Sequence, residues 1–235
     1  MPLEIKARKV RAMFSAIAKR YDFMNHFLSA NLDRGWRRAC VREVSRQIKT
    51  AFPKILDIGC GTADLSMAFS DRGYVTGCDF CHEMLVHGMR KVKGRRFSFP
   101  INLLEADALA LPFADDTFDA AVSAFVLRNL ADMRHGLYEM RRVLKPGGIL
   151  GILDFGMPRL PVIRQVYGFY FLNILPRLGQ WISGAAGPYK YLPSSVQSFP
   201  PAEELKKKAV DAGFGDIRVR RMAAGAAVLL TGVRE

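Results

Sequence analysis

At 235 residues, with 50% hydrophobic content and a formal net charge of +13, the chain is long enough for one α/β core and short for two domains. No uncharged apolar run reaches the roughly 18 residues of a membrane span, and MPLEIKARKV carries charges where a secretory leader has its apolar centre, so a cytoplasmic protein is expected. Four cysteines make no disulfide framework in such a chain.

The charge is uneven. Residues 1–50 hold twelve Lys and Arg against Glu4, Asp22, Asp33 and Glu43, which implies a polyanionic partner, nucleic acid or an anionic membrane surface, unless it is simply a solvated basic face. The same region reads as helices. Val10, Met13, Phe14 and Ile17 recur at helical steps, and Leu32 to Ile48 repeats the pattern. Between them, Tyr21, Phe23, Met24, Phe27 and Leu28 form a dense apolar knot that either pins the first helix to the core or covers a flat ligand.

Next comes LDIGCGTADL, an apolar strand running into Gly59, Cys60, Gly61 and Thr62 and then a helix over Ala63 to Ser70. Such a turn lets a ligand lie on bare backbone at the carboxyl end of a buried strand. A dinucleotide site would want a third glycine at position 64 and no acids near its phosphates, but this chain has Asp64 there and Asp57 before the turn. The two carboxylates suit a ligand with sulfonium and ammonium groups and no phosphate, namely S-adenosylmethionine. Asp79, 20 positions after Gly59, closes the next strand, Tyr74 to Cys78, and is placed to hold ribose hydroxyls.

A helix from His82 to about Lys91 precedes a third strand over Ser98 to Leu104. Asp107 and Ala108 follow that strand's end, where an acid and a backbone amide could hold an adenine edge. Phe118 to Phe125 is the fourth strand, with Leu127, Arg128 and Asn129 at its carboxyl end. A helix over Ala131 to Leu144 ends in a sharp Lys145 to Gly148 reversal, and Ile149 to Phe155 is the fifth strand. Residues 156–200 break the alternation with aromatics, proline and glycine. Their apolar run, Val166 to Leu175, is too short for a bilayer but well placed to cap the cofactor and accept a hydrophobic substrate. A helix over Ala202 to Ala212 and two strands, Gly215 to Met222 and Ala226 to Val233, finish the chain as an antiparallel pair.

The expected fold is therefore α/β, a mostly parallel seven-stranded sheet with helices on both faces. It divides into an N-terminal helical lid (1–50), a cofactor-binding core (51–155), a substrate cap (156–200) and a closing segment (201–235). No metal is expected: Cys78 and Cys81 form a lone CxxC, and the four histidines lack ligand spacing.

With these residues in place, the chain resembles the class I, Rossmann-like methyltransferases, and more narrowly the ubiquinone/menaquinone C-methyltransferase family, over nearly its whole length. The resemblance rests on FSAIAKRYDFMNHFLSANLDRGWRR, the glycine turn, GCDFCHEML, LPFADDTFDA, FVLRN, LYEMRRVLKPGG, LDFGMP, YKYLPSSV and DAGF. It implies that Thr62, Asp79, Asp107 and Ala108 bind S-adenosylmethionine, joining Asp57, Gly59 and Gly61 of the turn and, next to the family's serine position, Ser123, and that Tyr21, Arg128 and Asn129 line a quinol ring. Against the family pattern, Ala63 replaces a glycine, the usual serine before FVLRN is Ala124 with Ser123 one place earlier, Asp154 replaces a glutamate, and the closing strand lacks its usual ending.

The implied reaction is C-methylation of a polyprenylated hydroquinone, a demethylmenaquinol or a related benzoquinol. Arg128 would favour the phenolate by charge, Tyr21 and Asn129 would fix the hydroxyls, and the proton would leave through water or a neighbouring oxygen. A prenylated substrate would bring the protein peripherally to the inner face of an anionic membrane, through Lys6, Arg8, Lys9 and Arg11 and apolar groups near Tyr167 to Leu175. A homodimer or a quinone-biosynthesis complex fits equally. A methyltransferase for another lipid or phenol and a non-catalytic cofactor-binding subunit stay open; no nucleic-acid partner is expected, because no RNA-binding module accompanies the charge.

Overall fold

The computed structural model describes residues 3–158, 160–174, 177 and 187–235. Among these, strands β1 (Lys54–Ile58), β2 (Tyr74–Asp79), β3 (Ile101–Glu105), β4 (Phe118–Ala124), β5 (Leu144–Phe155), β6 (Phe214–Met222) and β7 (Ala227–Arg234) form one sheet in the order β3-β2-β1-β4-β5-β7-β6. The first five run parallel, and β7 is antiparallel to both β5 and β6. The strand order reverses between β1 and β4, so the crevice beyond their carboxyl ends is where an open sheet of this kind binds ligands.

Strand alternation builds the two faces. Leu56 and Ile58 pack with Leu137, Met140 and Val143 of α6 (Met133–Val143) and with Leu205 and Ala209 of a helix at Ala202–Asp211. Ile55 and Val122 point the other way, onto Trp36, Cys40 and Val44 of α3 (Leu32–Ser45) and Phe69 of α4 (Asp64–Phe69). The inner strands are apolar on both faces, as buried parallel strands must be. Edge strand β6 alternates and carries Arg218, Arg220 and Arg221, charges that discourage pairing with another chain.

Two expectations shift. The third strand starts at Ile101 because Pro100 has no N–H for the ladder; its carbonyl instead accepts from Val75 at 3.1 Å. The stretch from Lys145 to Gly148 makes no clean reversal: Leu144 already pairs with Phe118 and Ile149 with Ala120, so these four residues bulge from β5, with Gly147 at φ +74°.

Around this frame lie α1 (Leu3–Ile17), α2 (Tyr21–Leu28), α5 (His82–Lys93), α7 (Pro161–Phe169) and a helix at Gly187–Gln197. The end of the apolar run, Leu175, lies outside the described residues. Among the described residues no helix is long and apolar enough to cross a membrane.

Candidate active site

The turn after β1 is held by backbone. The N–H groups of Gly59 and Cys60 both donate to the Cys78 carbonyl, at 2.8 and 2.9 Å. Gly59 and Gly61 sit at φ +68° and +55°, and a Cβ on Gly59 would lie 2.4 Å from Val126 Cγ2, so only glycine fits. Ala63 occupies the same left-handed region at φ +66°, where an alanine is strained.

Asp79 ties the turn to β2: its carboxylate accepts N–H bonds from Gly61 and Cys81, both at 2.8 Å. Burial pushes its pKa up to about 6, against the pull of those N–H groups. With Asp107, Ala108 and the two glycines it walls a cleft whose outer side is Ala7, Val10 and Phe14 of α1. Asp107 also accepts from the Leu109 N–H at 2.9 Å. Among the described residues the wall carries two carboxylates and no Lys or Arg. That set of acceptors fits a ligand with hydroxyls and positive charge and opposes a phosphate, so S-adenosylmethionine passes this test of fit.

Other expected cofactor contacts lie behind the wall. Asp57, Thr62 and Ser123 line neither this cleft nor the cavity beside it. Asp57 is buried, accepts from Ser66 Oγ at 2.6 Å and has its pKa raised to about 7 by burial, partly offset by Ser66 and Arg37. Thr62 gives its hydroxyl proton to Asp22 and accepts from Lys91 at 3.3 Å. Ser123 Oγ is buried without a partner among the described residues. Asp64 does not face the cleft either: Lys91 reaches it at 2.5 Å and Asp22 at 2.7 Å, locking α2 to the glycine turn.

Beside the cleft is a cavity of about 470 Å³, and Phe14, Tyr21, Phe125 and Asn129 line both. Its walls add Trp36, Phe155, Tyr167, Tyr170 and Tyr191, with Arg37, Asp33 and Arg128 as the charged groups. Arg128 follows β4 in a short turn at Leu127–Asn129, and its guanidinium donates to Asp154 at 2.7 Å and lies 5.0 Å from the Phe155 ring centre. The pair is buried, and burial raises the Asp154 pKa even with Arg128 beside it.

Arg37 mirrors this arrangement, ion-paired to Asp33 and 5.2 Å from the Phe125 ring centre. Phe125 packs tilted against Phe155, ring centres 4.7 Å apart, and has φ +65°, a strained position for an aromatic residue at the junction of cleft and cavity. Asn129 donates through Nδ2 to the Phe125 carbonyl at 3.1 Å. That leaves Asn129 Oδ1, an acceptor, and Arg128 Nε, a donor, buried with no partner among the described residues. Burial also raises the Tyr21 pKa, although Arg128 and Arg37 pull it down.

Tyr21, Arg128 and Asn129 are thus brought together, although Arg128 is already neutralised by Asp154. Asp33, Trp36, Arg37 and Phe125 also wall the cavity, beyond the residues the sequence points to. The four-residue spacing of Asp33 and Arg37 was a visible sign of a helical ion pair, but nothing local marks that pair as facing a cavity. Lys6, expected to meet lipid, donates to the Leu130 carbonyl and has its pKa lowered by burial, and Arg11 reaches Glu105 at 3.4 Å.

Comparisons with known proteins agree with this geometry. The family model described as "ubiE/COQ5 methyltransferase family" matches residues 3–234. A demethylmenaquinone methyltransferase of Thermus thermophilus is 44% identical, covering 94% of this chain and 100% of its own. A ubiquinone/menaquinone biosynthesis C-methyltransferase of Geobacter sulfurreducens is 41% identical, covering 97% of this chain and 89% of its own. Among solved structures, a SAM-dependent methyltransferase from Thermotoga maritima superposes with a TM-score of 0.62 at 17% identity, covering 96% of this chain and 100% of its own. One from Aquifex aeolicus gives 0.59 at 18%, covering 83% and 89%. The fold is that of the S-adenosylmethionine-dependent methyltransferases, and the chain belongs to the ubiE/COQ5 methyltransferase family.

Proposed function

We propose that the protein methylates a ring carbon of a polyprenylated hydroquinone in quinone biosynthesis, with S-adenosylmethionine as methyl donor. The observation that carries this reading is the unpartnered couple of Arg128 Nε and Asn129 Oδ1 at the junction of an acid-walled cleft and an aromatic cavity. One phenolic hydroxyl can accept from the first and donate to the second. A carbon nucleophile is activated when that hydroxyl loses its proton, and a buried donor held in place favours the oxyanion.

When bound, the cofactor would supply an electrophilic methyl group. Asp79 would hold its ribose hydroxyls and Asp107 with the Ala108 amide its adenine edge, the bare backbone of Gly59 and Gly61 would let it lie close, and Thr62 and Asp57 support that turn from behind. On the substrate side, Tyr21 and Asn129 fix the ring hydroxyls, while Phe125, Phe155, Trp36 and the three tyrosines flank the ring and exclude water. Arg128 stays a cation throughout, so the proton leaves through water or a neighbouring oxygen. Asp154 holds the guanidinium in register: besides the side chain it meets the Arg128 backbone N–H at 3.4 Å and the Phe155 N–H at 2.8 Å.

The prenyl tail makes the substrate a membrane lipid, so the protein works peripherally at the anionic inner face of a membrane. The test is incubation of the purified protein with methyl-labelled S-adenosylmethionine and two short-tailed acceptors, a reduced demethylnaphthoquinol and a reduced methoxybenzoquinol. Label on a ring carbon of either supports the reading and names the quinone class. Cofactor binding with no label on either would sink it.

A further inference from the structure

We propose that the outer face of the helix Pro161–Phe169, together with the stacked pair Phe23 and Phe27, is the surface that docks on an anionic lipid bilayer and opens the aromatic cavity to it. This rests on the quinol reading above and names the docking face, which is distinct from the basic first helix.

The helix is apolar on two sides. Tyr167, with Tyr170 just beyond, lines the cavity. Val162, Val166 and Phe169, spaced by four and three residues along another stripe, are 72%, 66% and 61% exposed, and Leu160 is 60% exposed. An isolated exposed valine means little, but a helix apolar on both sides belongs in a buried setting. A second bare patch adjoins the same cavity. Phe23 and Phe27 stack at 5.8 Å with their planes 12° apart and are 59% and 50% exposed, and Phe27 and Leu32 are also cavity walls. Both patches therefore lie on elements that also wall the pocket that takes the substrate ring.

Charge identifies the occupant. Residues 156–200 contain Arg159, Arg164, Arg177 and Lys190 and not one Asp or Glu. Arg164 is exposed on the helix itself, and Lys19, Arg20 and Arg34 are exposed around α2. The acids of that second region, Asp22 and Asp33, are held by Lys91 and Arg37. An apolar face set among cations matches an anionic bilayer, where apolar groups enter the acyl boundary and cations meet the headgroups. A second copy fits worse, because a two-fold contact through this face would set like charges against each other. Docked in this way, the cavity would meet the bilayer directly, and a prenylated ring could enter while its tail stays in lipid.

The experiment uses the full chain, vesicles of phosphatidylcholine with or without phosphatidylglycerol, and the double variant Val162→Glu with Val166→Glu. Neither valine lines the cavity. Unaltered protein should float with the anionic vesicles, and the variant should bind them at least ~10-fold more weakly. Turnover of a long-tailed quinol in vesicles should fall with it, while turnover of a short-tailed quinol in solution stays unchanged. Substituting Arg8→Glu and Lys9→Glu on the first helix should have a much smaller effect on flotation. The proposal is overturned if the valine variant floats like the unaltered protein, if the Arg8 and Lys9 variant loses as much binding, or if the valines prove to hold a dimer that never binds vesicles. Absent short-tail turnover in unaltered protein would overturn the quinol reading instead, and flotation would still decide the docking face.

Discussion

The acid-walled cleft proposed for the cofactor and the aromatic cavity share a wall, but they are built differently. The inner wall of the cleft is made of consecutive turns, each at the carboxyl end of a strand, and presents backbone groups and short acids: Gly59, Gly61, Asp79, Asp107 and Ala108. The cavity is assembled from side chains on α2, α3, the turn after β4, the end of β5 and the helices beyond it. Sites made from backbone leave a local mark, because only certain residues allow the turn. Sites made from side chains leave little, because a buried tyrosine or arginine reads locally like any other.

That contrast can be broken most sharply at Arg128. Arg128→Lys should keep cofactor affinity and lower turnover about 100-fold, since a lysine cannot hold both Asp154 and a ring oxygen with the planar fork. Arg128→Ala is a poorer probe. It leaves Asp154 buried and unpaired and should cost about 3 kcal/mol of stability, which Asp154→Asn in the same chain should largely restore. Calorimetric cofactor binding alongside labelled turnover separates the two effects; equal loss of both from Arg128→Lys would move Arg128 into the cofactor's own shell.

On the cleft side, Gly59→Ala should destabilise by about 3 kcal/mol, from the clash with Val126 and the left-handed backbone, and take cofactor affinity with it. Val126→Ala in the same chain should recover the steric share and leave the backbone share. Full recovery in thermal melts would show that the positive φ costs nothing.

A subtler test uses pH. Asp79 is ionised above about 6, so cofactor Kd should be flat above neutrality and weaken by up to ~10-fold per unit as pH falls below that value. Its effect on the empty protein has the opposite sign. A carboxyl raised from 3.8 to about 6 by folding favours the folded state at low pH, and that contribution is lost as pH rises through about 6. Asp79→Asn should flatten both profiles; a cofactor profile that persists in this variant would assign the titration to another group. The smallest effect belongs to Ala63→Gly, which should raise stability by about 0.5–1 kcal/mol by relieving the left-handed alanine. A loss of stability would mean that the buried methyl packs better than the backbone is strained.

From the residues themselves came the α/β alternation, the glycine turn, and Asp79 and Asp107 at strand ends, while the grouping of Tyr21, Arg128 and Asn129 came only through the family resemblance. Apolar periodicity, glycine and strand-end acids are local constraints, and the chain satisfies them within a few residues of each position. Tertiary structure alone decided which acids face the cleft. Asp57 and Asp64 sit in the motif, yet one turns inward to Ser66 and the other outward to Lys91. It alone joined Asp33 and Arg37 to the cavity, neutralised Arg128 with Asp154, and committed Lys6 to a backbone carbonyl. Each of these depends on which distant segment supplies the partner: a charge is legible at its own position, but its use is settled by whatever folding packs against it.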